Sequence, residues 1–461
     1  MEKELTTEKL MELYKNRRFA DLRMVLLDTE AADIATFVEE QLDKKEQIFF
    51  FRLLPKELAS DVFVEFDSDT QESLIKAFTD KELKAVIDDM FLDDTVDIID
   101  EMPANVVKRI LLAADPEERK TINELLEYPD DSAGSLMTPE FVSLSANMTV
   151  ADAFDKIRRT GVNKETIYTC YVTDIRKRLI GVVTVKDLLL AEKETLIEDI
   201  MTTNTVAIET LEDKEEVALK FQKYAHLALP VIDKEGCIVG IITVDDAVDV
   251  MQEEATEDIQ IMAAITPDDK PYLKTSPFKI FANRAPWLLI LMISATFTGL
   301  ILNSYEGELS ALNGGVIGSL LIACVPMLMD SGGNAGSQSS ATVVRSIALN
   351  EVKFGDIFKV MWKEFCAGLM LAITLGIVCF AKLQLIDRLL FKYNYTFEIS
   401  FVVSLCLAIT ILLSKIVGCA LPLLAKKCKL DPAVMASPFI TTIVDALSLV
   451  IYCSIAIAFL G

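Results

Sequence analysis

The sequence predicts a multi-domain protein: an all-α superhelical N-terminal domain, a duplicated α+β pair, an acidic connecting helix and a five-helix transmembrane domain. Three observations predict it. Charge is divided along the chain. Of 70 acidic and 45 basic residues, 10 and 12 fall from residue 281 onward, which leaves 60 acidic against 33 basic residues before it. A unit of short β-branched runs and helical stretches occurs twice between about 129 and 250. Five apolar stretches, at roughly 285–303, 312–330, 361–385, 399–425 and 433–460, are long enough to cross a bilayer. The expected boundaries are 1–128 for the helical domain, 129–245 for the pair (129–193 and 194–245), 246–270 for the connecting helix and 271–461 for the membrane domain.

In residues 1–128 apolar side chains recur at three and four, as in Leu10, Leu13 and Tyr14, or Leu83, Val86 and Ile87, the spacing of amphipathic helices. The segments are short, and Asp or Thr opens several of them, as an N-cap does. Short helices separated by Pro or Asp suit a small α-solenoid. The net charge of −27 before residue 281 argues against nucleic acid and anionic membrane surfaces as partners, and for cations. Solubility alone is the plainer account of the same charge. The nine Cys form no C-x-x-C and lie mostly in apolar segments, so they read as small hydrophobes and not as a zinc or disulfide framework. His226 is the single His. The opening MEKELTTEKL has no apolar core, so no signal peptide is expected.

The duplicated unit reads LMTPEFVSLSANMTVADAF followed by YVTDIRKRLIGVVTVKDLL, then IMTTNTVAIETLEDKEEVA followed by VIDKEGCIVGIITVDDAV. Both halves share G-[VI]-[VI]-T-V-x-D, and the duplication resembles a tandem CBS pair. That resemblance implies ribose contacts from Thr184 and Asp187, then Thr243 and Asp246, to ATP or another adenine nucleotide. It equally fits a scaffold for dimerisation.

The second unit runs into VDDAVDVMQEEATEDIQIMAAI. Asp246, Asp249, Glu253 and Glu257 follow helical spacing, with Glu254 and Asp258 beside them. Like charges so placed repel by a few tenths of a kcal/mol per pair. A solvated face is the ordinary account, but this helix leads directly to the membrane part. Beyond a linker with Pro267, Pro271 and Pro277, the basic residues flanking the spans number 11 on one side and 3 on the other. The excess places the acidic domains in the cytoplasm and the C-terminus outside a multi-pass plasma-membrane protein in the lipid bilayer.

The last span, DPAVMASPFITTIVDALSLVIYCSIAIAFLG, carries Asp445 near its middle. A central Asp costs roughly 2.5–3.5 kcal/mol on insertion scales, so it rarely faces lipid and by default marks an ion route. Ser437, Thr441, Asp445 and Ser448 recur at four, four and three and share one helix face, with Thr442 beside them. The second span contains Pro326 and runs into PMLMDSGGNAGSQSS. Gly332, Gly333 and Gly336 free the backbone to approach something closely, a broken, Gly-rich backbone at membrane depth being tolerated only where it lines a cavity or is packed in protein, and Asn334 and Gln338 offer neutral oxygen ligands.

The order of domains, P-x-L-x-x-x-G-G-N-x-G-x-Q from Pro326 to Gln338, and D-P-A-x-x-x-x-P-x-x-T-x-x-x-D from Asp431 to Asp445 closely resemble the MgtE family of magnesium channels and transporters. The resemblance implies Mg²⁺ as substrate and regulator, and a homodimer with the path on its two-fold axis. Asp445 then holds a hydrated ion, aided by the Thr441 carbonyl, and Asn334, Gly333, Gln338, Ser437 and Thr442 line the path. It also implies a sensor for intracellular Mg²⁺ that shuts the path, built from Asp93 and Asp97, Asp246 and Asp249, the plug-helix acids Glu254, Glu257 and Asp258, and the loop acid Asp431. Asp431 before Pro432 is also an ordinary N-cap. Two departures stand out: Ala225 where the family can carry an acid, and Ser337 where some relatives have Asn.

Rival classes are weighed on the same residues. A carrier or channel for another ion, anions included, shares the regulatory half but needs neutral or positive path groups. An intramembrane aspartyl hydrolase needs two facing acids; Asp330 and Asp445 are the candidates, but neither lies in G-x-G-D and Asp330 sits at the end of its apolar window. A nucleotide-sensing membrane anchor leaves Asp445 unexplained. The expectation is a transporter and not an enzyme.

Overall fold

Local sequence signals set the N-terminal helices, seen in a computed structural model that describes residues 2–268, 270, 272–312, 316–435 and 437–460, without the side chains of 2–6, 57, 310 and 437. They are α1 (Glu2–Lys15), α2 (Phe19–Leu27), α3 (Ala31–Gln41), α4 (Lys44–Phe51), α5 (Ala59–Val64), α6 (Ser68–Ala77), α7 (Asp80–Ile87), α8 (Leu92–Glu101), α9 (Ala104–Ala113) and α10 (Pro116–Leu125). Asp43 and Thr79 close capping boxes at α4 and α7, and Asp67 accepts from Thr70 N at α6. Each cap satisfies backbone N–H groups that a helix start leaves unpaired. The apolar stripes meet in a core that includes Leu22, Ile34, Phe50, Val62, Leu74 and Leu83. This core continues through Ala133 and Met137 into Ile208, Phe221, Val231 and Ile242 of the second repeat.

The duplication appears as two three-stranded sheets of the same topology. β1 (Ser143–Ser145) pairs parallel with β2 (Thr169–Thr173), which pairs antiparallel with β3 (Leu179–Thr184). β4 (Ile208–Glu209), β5 (Ala228–Ile232) and β6 (Ile238–Thr243) repeat the pattern, with a register shift at the matching place. Helices α11 (Ala133–Leu136), α12 (Val150–Thr160), α13 (Val185–Leu190), α14 (Ile197–Ile200) and α15 (Lys214–Tyr224) complete the pair. The repeats exchange edges. Thr138 bridges to Ile241 in the second sheet, and Thr202 bridges to Val182 in the first. The helix α16 (Val244–Met262) grows directly out of β6.

The chain divides into two compact units, Met1–Met251 and Gln252–Gly461. Among the described residues of the second, five helices have the length and apolarity of membrane spans. They are α17 (Pro277–Ala311), α18 (Val316–Ala348), α19 (Ile357–Lys382), α20 (Phe397–Lys427) and α21 (Ser437–Leu460). All nine cysteines are free thiols, and Cys324, Cys379, Cys406, Cys419 and Cys453 are buried among apolar side chains.

The structure corrects the expectation of a broken backbone at Gly332–Gly336. α18 is continuous through that stretch and through Pro326. The close approach expected of these glycines is present, and it is made helix to helix. A Cβ on Gly332 would lie 2.6 Å from Thr410 Cγ2, and one on Gly336 would lie 2.9 Å from Ile440 Cγ2. A Cβ on Gly418 would overlap the Gly336 carbonyl. Small residues that let backbones approach are how helices associate in lipid, where water gives no hydrophobic drive. Asp330 is likewise no terminal residue, because α18 carries on for 18 residues beyond it.

Gly418→Ala is therefore expected to lower the thermal stability of the detergent-solubilised protein, by roughly 1–3 kcal/mol if it acts as ordinary overpacking. Gly299→Ala on α17, where an added Cβ meets nothing within 4 Å, should be neutral or slightly stabilising, as Ala for Gly usually is in a helix. Equal melting temperatures for the two variants would refute the packing role.

Candidate functional site

The first unit gathers acids from three places. α8 presents Asp93, Asp94 and Asp97 from its N-terminal turns, α16 presents Asp245 and Asp246 from its own first turn, and the loops before β1 and β2 bring Glu140 and Glu165. Glu140 ties these segments together: it accepts from Leu92 N at 3.2 Å, and its carbonyl accepts from Glu165 N at 3.0 Å. Asp93 Oδ1 is buried with no hydrogen-bond partner.

The electrostatics follow from crowding out of water. Burial is the largest cause at Asp93, Asp94, Asp97, Glu140, Glu165 and Asp246, and neighbouring carboxylates add to it. Asp93 is pushed up to about 6, with its own and Asp94 backbone N–H groups opposing the shift. Asp94 reaches about 7 through burial, then Asp93 and Asp246. Asp97 is exposed at its edge, and desolvation, then Asp93 and Asp246, push it up to about 8. Glu165 rises to about 8 through burial, then Asp93, Asp246 and Asp94. Asp246 rises to about 6, held back by its hydrogen bonds from Thr243. Asp93, Asp97 and Asp246, which the resemblance assigns to a sensor, stand near enough to act on one another. Asp249 stands exposed one turn further along α16. Asp94, Glu140 and Glu165 were missed. Asp94 had only its adjacency to Asp93 as a signal, and the two glutamates lie on loops with no periodicity to mark them.

The Thr–Asp pairs of both repeats serve as helix caps. Thr184 Oγ1 donates to Asp187 Oδ2 at 2.5 Å, and Thr243 Oγ1 donates to Asp246 Oδ2 at 2.6 Å. Asp246 therefore belongs at once to a cap, to the acid cluster and to the nucleotide pattern. Ala225 is the left-handed C-cap of α15, with φ +53°, and brings no carboxylate.

In the second unit Asp258 is half-buried. Burial first, then Asp431, raises its pKa, while Arg345 lowers it. Asp431, which the resemblance sets opposite the plug-helix acids, stands near enough to act on Asp258, together with Arg345, a cation the sequence did not suggest. Asp431 is exposed and its Oδ1 accepts from Ala433 N at 2.7 Å, the N-cap bond its sequence implied. Glu257 is exposed and Glu254 half-buried on the same helix.

Within the membrane helices, α18 lies against α20 and α21. A Cβ on Gly333 would lie 3.0 Å from Thr441 Cγ2. Thr441 and Thr442 both donate their hydroxyls to the Pro438 carbonyl, at 2.9 and 3.0 Å. Ser448 turns inward, buried beside the position of Gly332. Asn334 and Gln338 are exposed on α18 and Asp445 is half-exposed on α21. The Ser437 side chain lies outside the described residues. The charged residues divide sharply. Lys415, buried on α20, stands 3.6 Å from Glu364, which also accepts from Ser339 Oγ at 2.6 Å. Asp387 pairs with Lys382 at 2.7 Å. Asp330 and Asp445 have no hydrogen-bond or ion-pair partner among the described residues.

Comparison with known proteins is consistent along the chain. The family described as divalent cation transporters of the MgtE type matches residues 325–455, the MgtE intracellular N domain matches 29–131, and CBS domains match 133–194 and 197–253. The chain is 33% identical over 439 residues to the magnesium transporter MgtE of Thermus thermophilus, covering 94% of each protein. It is 30% identical over 452 residues to the magnesium transporter MgtE of Bacillus subtilis, covering 97% of this chain and 96% of that one. Among solved structures, the cytosolic domain of the Mg²⁺ channel MgtE in complex with ATP is 33% identical, with a TM-score of 0.50 over 53% of this chain and 99% of that one.

The raised carboxyl values fix the sign of a pH effect. Folded values of about 6 to 8 lie above the ordinary carboxylate range near 4. Between about pH 4 and 8 the folded protein therefore holds more protons than the unfolded chain, and stability falls as pH rises. In EDTA, the unfolding temperature of the first unit should drop from pH 5.5 to pH 8. A rise over that interval would contradict the crowding of these acids.

Proposed function

The chain belongs to the MgtE family of divalent cation transporters, and from that premise we propose that it carries Mg²⁺ across the membrane, with Asp445 as the acid that receives the ion. The observation that carries this is a carboxylate inside a membrane helix with no hydrogen-bond or ion-pair partner among the described residues, whereas Glu364 and Asp387 on other spans each stand beside a lysine. Such an acid needs water or a cation in front of it. The exposed polar stripe of α18, with Asn334 and Gln338, also faces poorly onto lipid. Both features fit a homodimer that closes an aqueous path on its symmetry axis.

Two copies of Asp445 then present two negative charges to one dication. At about 5 Å and an effective dielectric near 20, each attracts Mg²⁺ by roughly 6–7 kcal/mol before desolvation is counted. Mg²⁺ sheds its water reluctantly and favours octahedral oxygen. An ion that keeps its shell gains attraction without losing hydration, so it binds and leaves again. Thr441, Thr442 and Ser437 on α21, and Gly333, Asn334 and Gln338 on α18, line this path in our reading, and its chemistry is ion passage, with no bond made or broken.

The acid cluster of the first unit supplies regulation. Asp93, Asp94, Asp97, Asp246 and Glu165 repel one another when no cation is present. Mg²⁺ from the cytoplasm relieves that repulsion and draws α8 and α16 together, Asp249, Glu254, Glu257 and Asp258 extend the response along α16, and Asp431 meets it from the loop before α21. Several weakly held ions together supply the few kcal/mol that shift a two-state balance toward the closed path. The basic excess beside the spans puts this unit in the cytoplasm and the C-terminus outside. The CBS pair takes an adenine nucleotide near Thr184, Asp187, Thr243 and Asp246, as the ATP complex of the similar cytosolic domain suggests.

Asp445→Asn should abolish Mg²⁺ flux in proteoliposomes while the protein remains monodisperse; normal flux in that variant defeats the path assignment. Neutralising Asp93, Asp97 and Asp246 together should leave flux that high Mg²⁺ on the cytoplasmic side no longer shuts off. Inhibition unchanged from wild type would remove the sensor from this cluster.

A further inference from the structure

Asp330 occupies the exposed face of α18 that also carries Asn334 and Gln338, at successive intervals of four. With 3.6 residues per turn, these side chains leave the helix along one stripe. α18 and α21 run antiparallel where they touch. Gly332 lies against Val444 and Ser448, whereas Gly336, one turn on, lies against Ile440 and Val444. Asp330, just before Gly332, is therefore level with the part of α21 that bears Asp445, within range for the two carboxylates to repel. Glu364 and Asp387 each have a lysine beside them. Asp330 has neither a cation nor a hydrogen-bond donor among the described residues, although it sits in mid-helix in a span.

We propose that Asp330 is a second carboxylate of the ion path, which sets how strongly that path attracts a hydrated divalent cation. The proposal rests on the reading of Asp445 as the receiving acid. A cation that keeps its water presents donors in every direction, so one carboxylate can hold the shell from α21 while another accepts from it on α18. Asp330 adds charge without adding a direct metal bond, which favours ions that remain hydrated. At several ångströms and a dielectric between those of protein and water, one such charge changes the occupancy of a dication about tenfold.

The test measures Mg²⁺ flux against Mg²⁺ concentration for the full chain in proteoliposomes, with Asp330→Asn, Asp330→Glu and Asp445→Asn compared. Asp330→Asn should raise the half-saturating Mg²⁺ concentration about tenfold while maximal flux is kept, and Asp330→Glu should return it toward wild type. A packing role would instead reduce maximal flux, leave half-saturation in place and gain nothing from Glu. If Asp445→Asn loses flux and Asp330→Asn leaves half-saturation unmoved, this proposal fails alone. Flux that survives Asp445→Asn takes down the receiving-acid reading and this proposal with it. Should Asp330→Asn not fold, Asp330→Ser against Asp330→Glu makes the same comparison, and equal half-saturation for those two overturns the proposal.

Discussion

A carboxylate taken out of water must find a positive charge or keep its proton, and this constraint shapes both halves of the protein. Lysines meet the need at Glu364 and Asp387 inside the membrane. At Asp330 and Asp445, and at the cluster around Asp93, Asp97, Asp246 and Glu165, no basic side chain does so among the described contacts. The cluster is held nonetheless, because capping bonds and the Glu140 bridge fix its segments in place. Acids so placed repel one another across α8 and α16, and in the proposed sensor a cation from outside the cluster relieves that repulsion.

The membrane helices meet the same constraint by geometry. Glycines on α18 and α20 let backbones come almost into contact, so the polar face of α18 is held rigidly beside α21. In the proposed path such a frame would keep a hydrated ion at a set distance from Asp445, and distance decides how much attraction survives desolvation. Pairing Lys415 with Glu364 serves this frame as well. It occupies the one buried lysine among the described residues and so leaves the proposed path acidic.

Asp246 shows how one residue takes several roles. Its Oδ2 accepts from the hydroxyl and the N–H of Thr243 and so starts α16, while the same carboxylate stands among the acids of α8. A change in what this side chain binds therefore acts at the first turn of the helix that also carries Glu254, Glu257 and Asp258. Linking a binding event to a helix start is an economical way to bias a two-state element.

Much of this was legible in the residues. Hydropathy revealed the spans, because no water in the bilayer core can satisfy a broken backbone; the duplicated G-[VI]-[VI]-T-V-x-D revealed the paired sheets, because the same local chemistry folds the same way twice. Asp445 was visible as an acid where acids are costly. What one dimension could not hold was proximity. Gly332 to Gly336 read as a loop, since glycine permits a break as readily as a close approach, and only the facing Thr410, Ile440 and Gly418 decide between them. Glu165 joined Asp93 only when the fold brought a loop beside a helix more than seventy positions away, and Asp330 appeared terminal until α18 proved continuous. Sequence sets the charges and the periods; the tertiary structure alone decides which charges share a space, because electrostatic energy depends on distance through the protein and not along the chain.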